Sequence, residues 1–337
     1  ASSAGFLMIA PAGTTDSSGK QFWNATDACC NFENSQVDDV AYLDSVIDDV
    51  RAHYRGLSAW VAGGPAVDDV HDLELPSAPP IRLYSSHDPS WGDRRPLLVY
   101  LHSGGWVVGG LIASDERCRR LAVTTGALVA SVDYRLAPEH PYPAAIDDAW
   151  AATVQLAAHG RQLRADPGRI VLVGDSSGGN LAASVALRSR SRGGPAIAGQ
   201  VLLYPVLAAD RSAFASARAY AHGVPLGLAE MDWYTNAYLG GAPIGPDVAP
   251  LLNEDLEGLP PSLVVGAECD LLCDEGRAYA ERMSSAGVFV RYELFRGTVH
   301  GFFALSGALD DAARVTTLIA EYLQSLFGAE VDQIVPE

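Results

Sequence analysis

The sequence has no uninterrupted apolar run of the roughly 18 residues that a membrane-spanning helix needs, so no membrane span is expected. Its 5 cysteines are too few, and odd in number, for a disulfide framework. They also lack a matching His or second CxxC at zinc spacing. We therefore expect reduced thiols and no metal site. A charged segment followed by an apolar one is missing at the N-terminus, so no signal peptide is predicted and a cytoplasmic location is expected.

Positive charge is scarce as well. Lysine and arginine total 23 against 41 acidic residues, which gives a formal net charge of −18. Such a surface repels phosphate backbones, so nucleic acid is not expected as a partner. The composition, 48% hydrophobic and 19% charged, is typical of a globular protein. A chain of 337 residues is long enough for one large domain with a smaller accessory part.

From about residue 96, short apolar runs alternate with longer amphipathic ones. This alternation predicts an α/β fold with a mostly parallel central sheet and helices on both faces. The predicted strands are 97–101, 127–132, 170–173, 200–204, 263–266 and 290–295. The predicted helices lie near 114–125, 144–159, 178–191, 275–286 and 309–326.

Two segments do not fit the alternation. The stretch of about 207–255 is too long for a loop and holds a helical piece at 228–239, so we expect an insertion that forms a cap. Residues 1–56 form an atypical N-terminal segment, in which 37–54 carries one apolar helix face, followed by a polar, proline-rich stretch at 62–80. The main domain is then 57–337.

A serine stands at the end of one predicted strand. Residues 174–178 read GDSSG, between the apolar run 170–173 and a predicted helix. This order predicts a nucleophile elbow in which Ser176 is the nucleophile, and in which flanking glycines leave room for a strained turn. A Gly/Ser-rich phosphate-binding turn is the alternative.

A second glycine-rich segment, 102–106 with the sequence HSGGW, follows the predicted strand 97–101. Loops at this position supply backbone N–H groups to an oxyanion. We predict that Gly104, Gly105 and Ser177 donate, while a purely structural turn is the alternative. Trp106 is equally compatible with a substrate pocket and with core packing. His102 is expected to support the loop by hydrogen bonding, and the remaining histidines except His300 to lie at the surface or in loops.

Two further residues complete a catalytic set. Asp270 and His300 each follow a predicted strand, and the order Ser, Asp, His along the chain is that of α/β hydrolases. His300 is the predicted base and Asp270 the acid that orients it. Glu268 and Asp274 are the alternatives for the acid.

At these residues the sequence resembles the hormone-sensitive-lipase family of carboxylesterases (bacterial family IV), which has an HGGG-type oxyanion motif and a GDSAG-type elbow. The likeness runs from about residue 55 to the C-terminus and includes the motifs at 133–139, 249–252, 270–275 and 300–302. It implies an α/β-hydrolase fold and hydrolysis of short- to medium-chain carboxylic esters through an acyl-enzyme, without metal or cofactor. Members associate through the sheet edge near 290–295, so a homodimer is compatible with the resemblance.

The sequence departs from that family in three places. Ser103 replaces the first glycine of the HGGG-type motif, and Ser177 replaces the usual alanine of the elbow. Residues 5–54 instead resemble a segment of polyhydroxybutyrate-depolymerase and feruloyl-esterase-like proteins, which suggests a fusion in which this segment takes the cap position. Other functions compatible with the sequence are an aryl- or polysaccharide-linked esterase, an amidase, a small-molecule receptor that has lost catalysis, and an inactive subunit.

Overall fold

The computed structural model describes residues 14–15, 21–22, 47, 51, 63–86, 88–223 and 225–328. The chain divides into two compact units, 1–58 and 59–337. In the first unit, Thr14–Thr15 pairs in antiparallel fashion with Gln21–Phe22, and Ile47 is helical and buried. Most of the predicted helix 37–54, together with Cys29 and Cys30, lies outside the described residues.

The second unit is built on an eight-stranded sheet. Its strands, in chain order, are β1 Asp69–Leu73, β2 Ile81–Ser85, β3 Leu97–Leu101, β4 Leu128–Val132, β5 Ile170–Asp175, β6 Gly199–Leu203, β7 Ser262–Cys269 and β8 Val290–Val299. The order across the sheet is β8-β7-β6-β5-β3-β4-β2-β1. Only the pairings β1 with β2 and β2 with β4 are antiparallel. The predicted α/β class with a mostly parallel sheet is confirmed.

Seven α-helices follow among the described residues of this unit. They are α1 Leu111–Thr125, α2 Ala144–His159, α3 Ser177–Arg192, α4 Ala215–Ala219, α5 Leu228–Leu239, α6 Cys273–Ser285 and α7 Asp310–Phe327. Both α4 and α5 lie in the long connection between β6 and β7, where the cap insertion is predicted. None of the described helices is long and apolar enough to cross a membrane.

The inner strands of the sheet are buried on both faces. Successive side chains of a strand point to opposite faces, and Leu98 and Tyr100 of β3 belong to one core cluster with α1 and α7. Leu97, Val99 and Leu101 therefore point to the other face, and they too are fully buried. There α3 packs against β3, β5 and β6, and α2 packs against α3. Strands buried on both faces read as continuous apolar runs, and this is why they were visible in the sequence.

Strands β1 and β2 were not predicted. Strand β1 lies inside the stretch 62–80, which the sequence indicates to be polar and rich in proline. Its five residues are exposed or half-buried, because β1 is the outermost of the eight strands and, among the described residues, pairs with β2 alone. An edge strand of this kind has no apolar run and no clear alternation to reveal it.

Candidate active site

Ser176 occupies the turn between β5 and α3 with φ 57° and ψ −118°. This conformation is rare for a residue with a side chain and is imposed by the packing around it. A Cβ atom on Gly174 would lie 2.1 Å from the carbonyl oxygen of Gly178, and one on Gly178 would lie 1.9 Å from that of Leu101. The flanking glycines therefore allow the turn to pack directly against the end of β3.

His300 lies just after β8 and touches both other members of the predicted set. Its Nε2 is 2.9 Å from Ser176 Oγ, and its Nδ1 is 2.7 Å from Asp270 Oδ2. Asp270 is buried, and its Oδ1 accepts a hydrogen bond from the N–H of Leu272 at 3.0 Å. Because an ionised carboxylate only accepts, Nδ1 carries the proton and Nε2 is left to accept from the serine hydroxyl. The three side chains thus form a continuous line of hydrogen bonds from Asp270 through His300 to Ser176.

The two alternative carboxylates are engaged elsewhere. Glu268 accepts the N–H of Gly297 at 2.8 Å. Asp274 accepts the N–H of Ser216 at 2.8 Å and forms an ion pair with Arg277. Asp270 is therefore the carboxylate that contacts His300.

The loop after β3 folds back sharply at the two predicted glycines. Gly104 has φ 123° and Gly105 has φ 57°, a region that side chains rarely adopt. The carbonyl of Gly104 accepts the N–H groups of Val107 at 3.0 Å and Val108 at 2.9 Å. Ser103 does not adopt a positive φ, so a serine in place of the family's first glycine causes no backbone strain.

Ser177 is the first residue of α3, where N–H groups have no partner within the helix. The positive end of the helix dipole adds to the attraction for an anion at this point. The side chain of Ser177 is fully buried, so the predicted role as a hydrogen-bond donor to an oxyanion falls to its backbone N–H group.

The residue His102 stabilises the loop 102–106 through buried contacts. It is buried and its ring stacks on Tyr134, with centroids 4.1 Å apart. The Tyr134 hydroxyl donates to the carbonyl of His102 at 2.7 Å. Burial lowers the pKa of His102 to about 4, so the ring stays neutral at pH 7. This agrees with the supporting role that the sequence suggested.

Asp175 is held under the elbow by a buried network. The hydroxyl of Tyr100 donates to Asp175 Oδ1 at 2.6 Å, and Arg117 Nη1 lies 4.0 Å from Oδ2. Because this carboxylate belongs to the residue before Ser176, the contacts fix the strand end next to Ser176.

Several site residues were not found from the sequence. Tyr204, with φ 35°, presents its ring to the His300 ring with centroids 5.0 Å apart. Tyr238 stacks on Trp106, which is fully buried in this contact. Trp106 thus packs against α5, and its place in a substrate pocket stays a prediction from the sequence. Local patterns carry no signal for these rings, since each contact joins segments far apart in the chain.

Within the described residues, no three His, Cys, Asp or Glu side chains come together as a metal site. Cys118, Cys269 and Cys273 are not in disulfides. A sheet of this order with a serine at a sharp strand-to-helix turn is the architecture of α/β hydrolases.

Comparison with known proteins agrees with this architecture. A family model described as alpha/beta hydrolase fold matches residues 98–304. Esterase LipI of Mycobacterium tuberculosis is 44% identical over 224 residues, which are 66% of this chain and 70% of that protein. Carboxylic ester hydrolase LipN of the same organism is 39% identical over 284 residues, covering 80% of this chain and 73% of that one.

A solved structure is similar as well. The hyperthermophilic esterase of the archaeon Pyrobaculum calidifontis is 36% identical with a TM-score of 0.78, and the match covers 83% of this chain and 91% of that chain. The chain belongs to the alpha/beta hydrolase fold family.

Proposed function

We propose that this protein hydrolyses carboxylic esters through an acyl-enzyme formed on Ser176. Its relatives named esterase or carboxylic ester hydrolase, at 39–44% identity, make the chain a carboxylesterase. The observation that carries the residue assignment is the unbroken set of contacts from Asp270 through His300 to Ser176, 2.7 and 2.9 Å long.

The reaction takes two steps. Ser176 Oγ attacks the ester carbonyl while His300 Nε2 takes the hydroxyl proton, and the tetrahedral oxyanion is held by the N–H groups of Gly104, Gly105 and Ser177. His300 then returns the proton to the alcohol oxygen as the ester bond breaks. In the second step, a water molecule gives a proton to His300 and attacks the acyl carbonyl. His300 then returns that proton to Ser176 Oγ as the bond between Oγ and the acyl carbon breaks and the acid leaves.

The narrower assignments are also part of the proposal. They rest on the family resemblance and on the sequence patterns. They are a preference for short to medium acyl chains, the absence of a cofactor requirement, a cap made from residues 1–56 and about 207–255, a cytoplasmic location and a homodimer. The fusion of residues 5–54 remains a prediction from the sequence.

The substitution Ser176→Ala tests the assignment. We expect turnover of p-nitrophenyl butyrate to fall by about 10⁴-fold or more, because no acyl-enzyme can form. Ser191→Ala, an exposed serine near the end of the same helix, is the control and should keep wild-type turnover. An acyl series from acetate to palmitate in the same assay measures the preferred chain length.

Unchanged turnover in Ser176→Ala would refute the nucleophile. A wild-type protein that binds esters but turns none over would favour the receptor alternative.

A further inference from the structure

The residue after the glycine pair of the oxyanion loop has an unusual backbone. Trp106 has φ 61°, directly after Gly105 with φ 57°. Glycine adopts this conformation freely, but a bulky side chain does so only where tertiary contacts hold it. Something outside the loop must therefore stabilise the conformation of Trp106.

The contact comes from α5, in the connection between β6 and β7. The Trp106 and Tyr238 rings stack with centroids 4.4 Å apart and planes at 9°. Both side chains are fully buried. Neither Trp106 Nε1 nor the Tyr238 hydroxyl has a hydrogen-bond partner among the described residues. The two residues are thus held together by ring packing rather than by polar contacts.

Tyr238 is itself fixed from the other side. Its carbonyl accepts the N–H of Tyr142 at 2.7 Å, and the Tyr142 ring meets the Tyr238 ring edge-on with centroids 5.9 Å apart. The carbonyl of Trp106 accepts the N–H of Ala137 at 2.9 Å. The segment 137–142 therefore binds both members of the stack and leaves little freedom for either.

A second tyrosine, one helical turn before Tyr238, covers the preceding loop residue. A Cβ atom on Gly105 would lie only 2.3 Å from Cδ1 of the Tyr234 ring. Side chains four residues apart lie on the same face of a helix. One face of α5 therefore contacts two successive residues of the oxyanion loop.

We propose that Tyr238 and Tyr234 are positioning residues, which hold Gly105 and Trp106 in the conformation that directs the loop's N–H groups at the oxyanion. This rests on the proposed function, since it deepens the role given to the loop. It means that α5, which lies in the predicted cap, contributes to transition-state stabilisation without touching the reacting atoms.

The test replaces the ring of Tyr238 by an aliphatic side chain. In Tyr238→Leu we expect kcat for p-nitrophenyl butyrate to fall by about 10- to 100-fold with KM changed by less than about threefold, because misdirected donors weaken only the transition state. Tyr238→Phe keeps the ring and loses only an unpaired hydroxyl, so it should restore kcat.

Tyr279→Leu is the matched control. Tyr279 is a fully buried tyrosine of α6 whose hydroxyl also has no partner among the described residues. The substitution Tyr279→Leu should lower the melting temperature about as much as Tyr238→Leu does, but leave kcat within about twofold of the wild-type value. Tyr234→Leu, at a half-buried position, gives a second variant that is expected to fold and to lower kcat in the same way.

Inhibition separates loop geometry from general damage. A trifluoromethyl ketone forms a tetrahedral oxyanion on the serine, whereas the matching methyl ketone binds mainly as a ground-state analogue. Tyr238→Leu should weaken the first by about tenfold or more and leave the second unchanged.

An equal loss for both ketones, an unchanged kcat in Tyr238→Leu and Tyr234→Leu, or an equal fall of kcat in Tyr279→Leu would each overturn the proposal. A different result would contradict the proposed function. This result is that Ser176→Ala binds the trifluoromethyl ketone as tightly as the wild type does.

Discussion

Among single residues, Glu275 of α6 is a carboxylate buried close to the site. It accepts the N–H groups of Leu207 at 3.0 Å and Ala208 at 3.2 Å, and Arg211 Nε lies 3.7 Å away. Burial raises the pKa of Glu275 to about 7, and the nearby charge of Asp270 adds to the rise, while Arg211 and the two N–H groups oppose it. Glu275 thus fixes the backbone where the chain leaves β6 for the long connection.

This pKa predicts how stability depends on pH. The folded protein keeps the Glu275 proton up to about pH 7, whereas the unfolded chain releases it near 4.5. The folded state therefore binds more protons between these values, and the wild-type free energy of unfolding falls as pH rises through them. Glu275→Gln has no group that binds or releases a proton at this position. Urea unfolding should show the wild type losing up to roughly 3 kcal/mol relative to Glu275→Gln between pH 4.5 and pH 7.

Glu281→Gln, an exposed position on the same helix, serves as the control and should follow the wild-type pH dependence. Parallel curves for the wild type and Glu275→Gln would show that Glu275 titrates at an ordinary pKa in the folded state.

At the scale of elements, the elbow depends on how closely α3 approaches β3. Gly178 lies in the first turn of α3, where helix propensity alone would favour alanine. A Cβ atom there would lie 1.9 Å from the carbonyl oxygen of Leu101, so the helix or the strand would have to move. Close packing thus outweighs local propensity at this position.

We expect Gly178→Ala to destabilise the protein by about 3 kcal/mol and to lower turnover sharply, because the shift moves Ser176 relative to the loop at Gly104 and Gly105. Gly193→Ala is the comparison at the other end of the same helix. Gly193 has φ 62° but open space around it, so the change should cost only about 1 kcal/mol of backbone strain. Urea unfolding of both variants measures the difference, and equal costs would contradict the steric explanation.

Elements with strong local signals were predicted well from the sequence. Strand β3 and helices α2 and α5 have the predicted bounds, because a buried apolar run or a helical repeat between turn residues marks each of them. Strands β1 and β2 were missed. The edge strand β1 is stabilised by pairing with β2, which local hydrophobicity does not reveal. In β2, Arg82 and Ser85 interrupt the apolar positions, so no continuous apolar run marks the strand.

The residues of the candidate active site also differ in whether a local sequence signal marks them. Ser176, Asp270 and His300 each stand at a strand end with recognisable neighbours, and the structure brings them together. The rings of Tyr204 and Tyr238 carry no such mark. They reach His300 and Trp106 across the fold, so only the tertiary structure identifies them.

For the molecule as a whole, α3 is the element that joins Ser176 to the long connection between β6 and β7. Asn180 Nδ2 donates to the carbonyls of Val206 at 2.8 Å and Val248 at 2.7 Å. Four residues further on, Ser184 Oγ donates to the carbonyl of Asp247 at 2.8 Å. One helix face thus holds the connection near both of its ends.

Arg188 completes this face with charged contacts. The guanidinium is buried and bonds to Asp247 Oδ2 at 2.8 Å through Nη2 and to Asp147 Oδ1 of α2 at 2.6 Å through Nη1. It therefore links three separate parts of the chain. Both carboxylates are partly exposed, so solvent weakens each pair relative to a fully buried one.

We expect Arg188→Met to lower the free energy of unfolding by about 2 kcal/mol, because the hydrogen bonds to two charged partners are lost. Residues 207–255 should also become accessible to limited proteolysis earlier than in the wild type. Arg192→Met, at an exposed position of the same helix, should change neither measurement. Cleavage at wild-type rates in Arg188→Met would mean that Arg188 does not anchor the connection.

The spacing of Asn180, Ser184 and Arg188 also limits which segments of related proteins could replace residues 207–255. A segment taken from a relative to replace residues 207–255 would need backbone carbonyls and a carboxylate in register with this helix face. It would also need an aromatic ring where Tyr238 meets Trp106. The connection between β6 and β7 is therefore interchangeable with that of a relative only together with the side chains of α3 and the oxyanion loop's Trp106 that contact it.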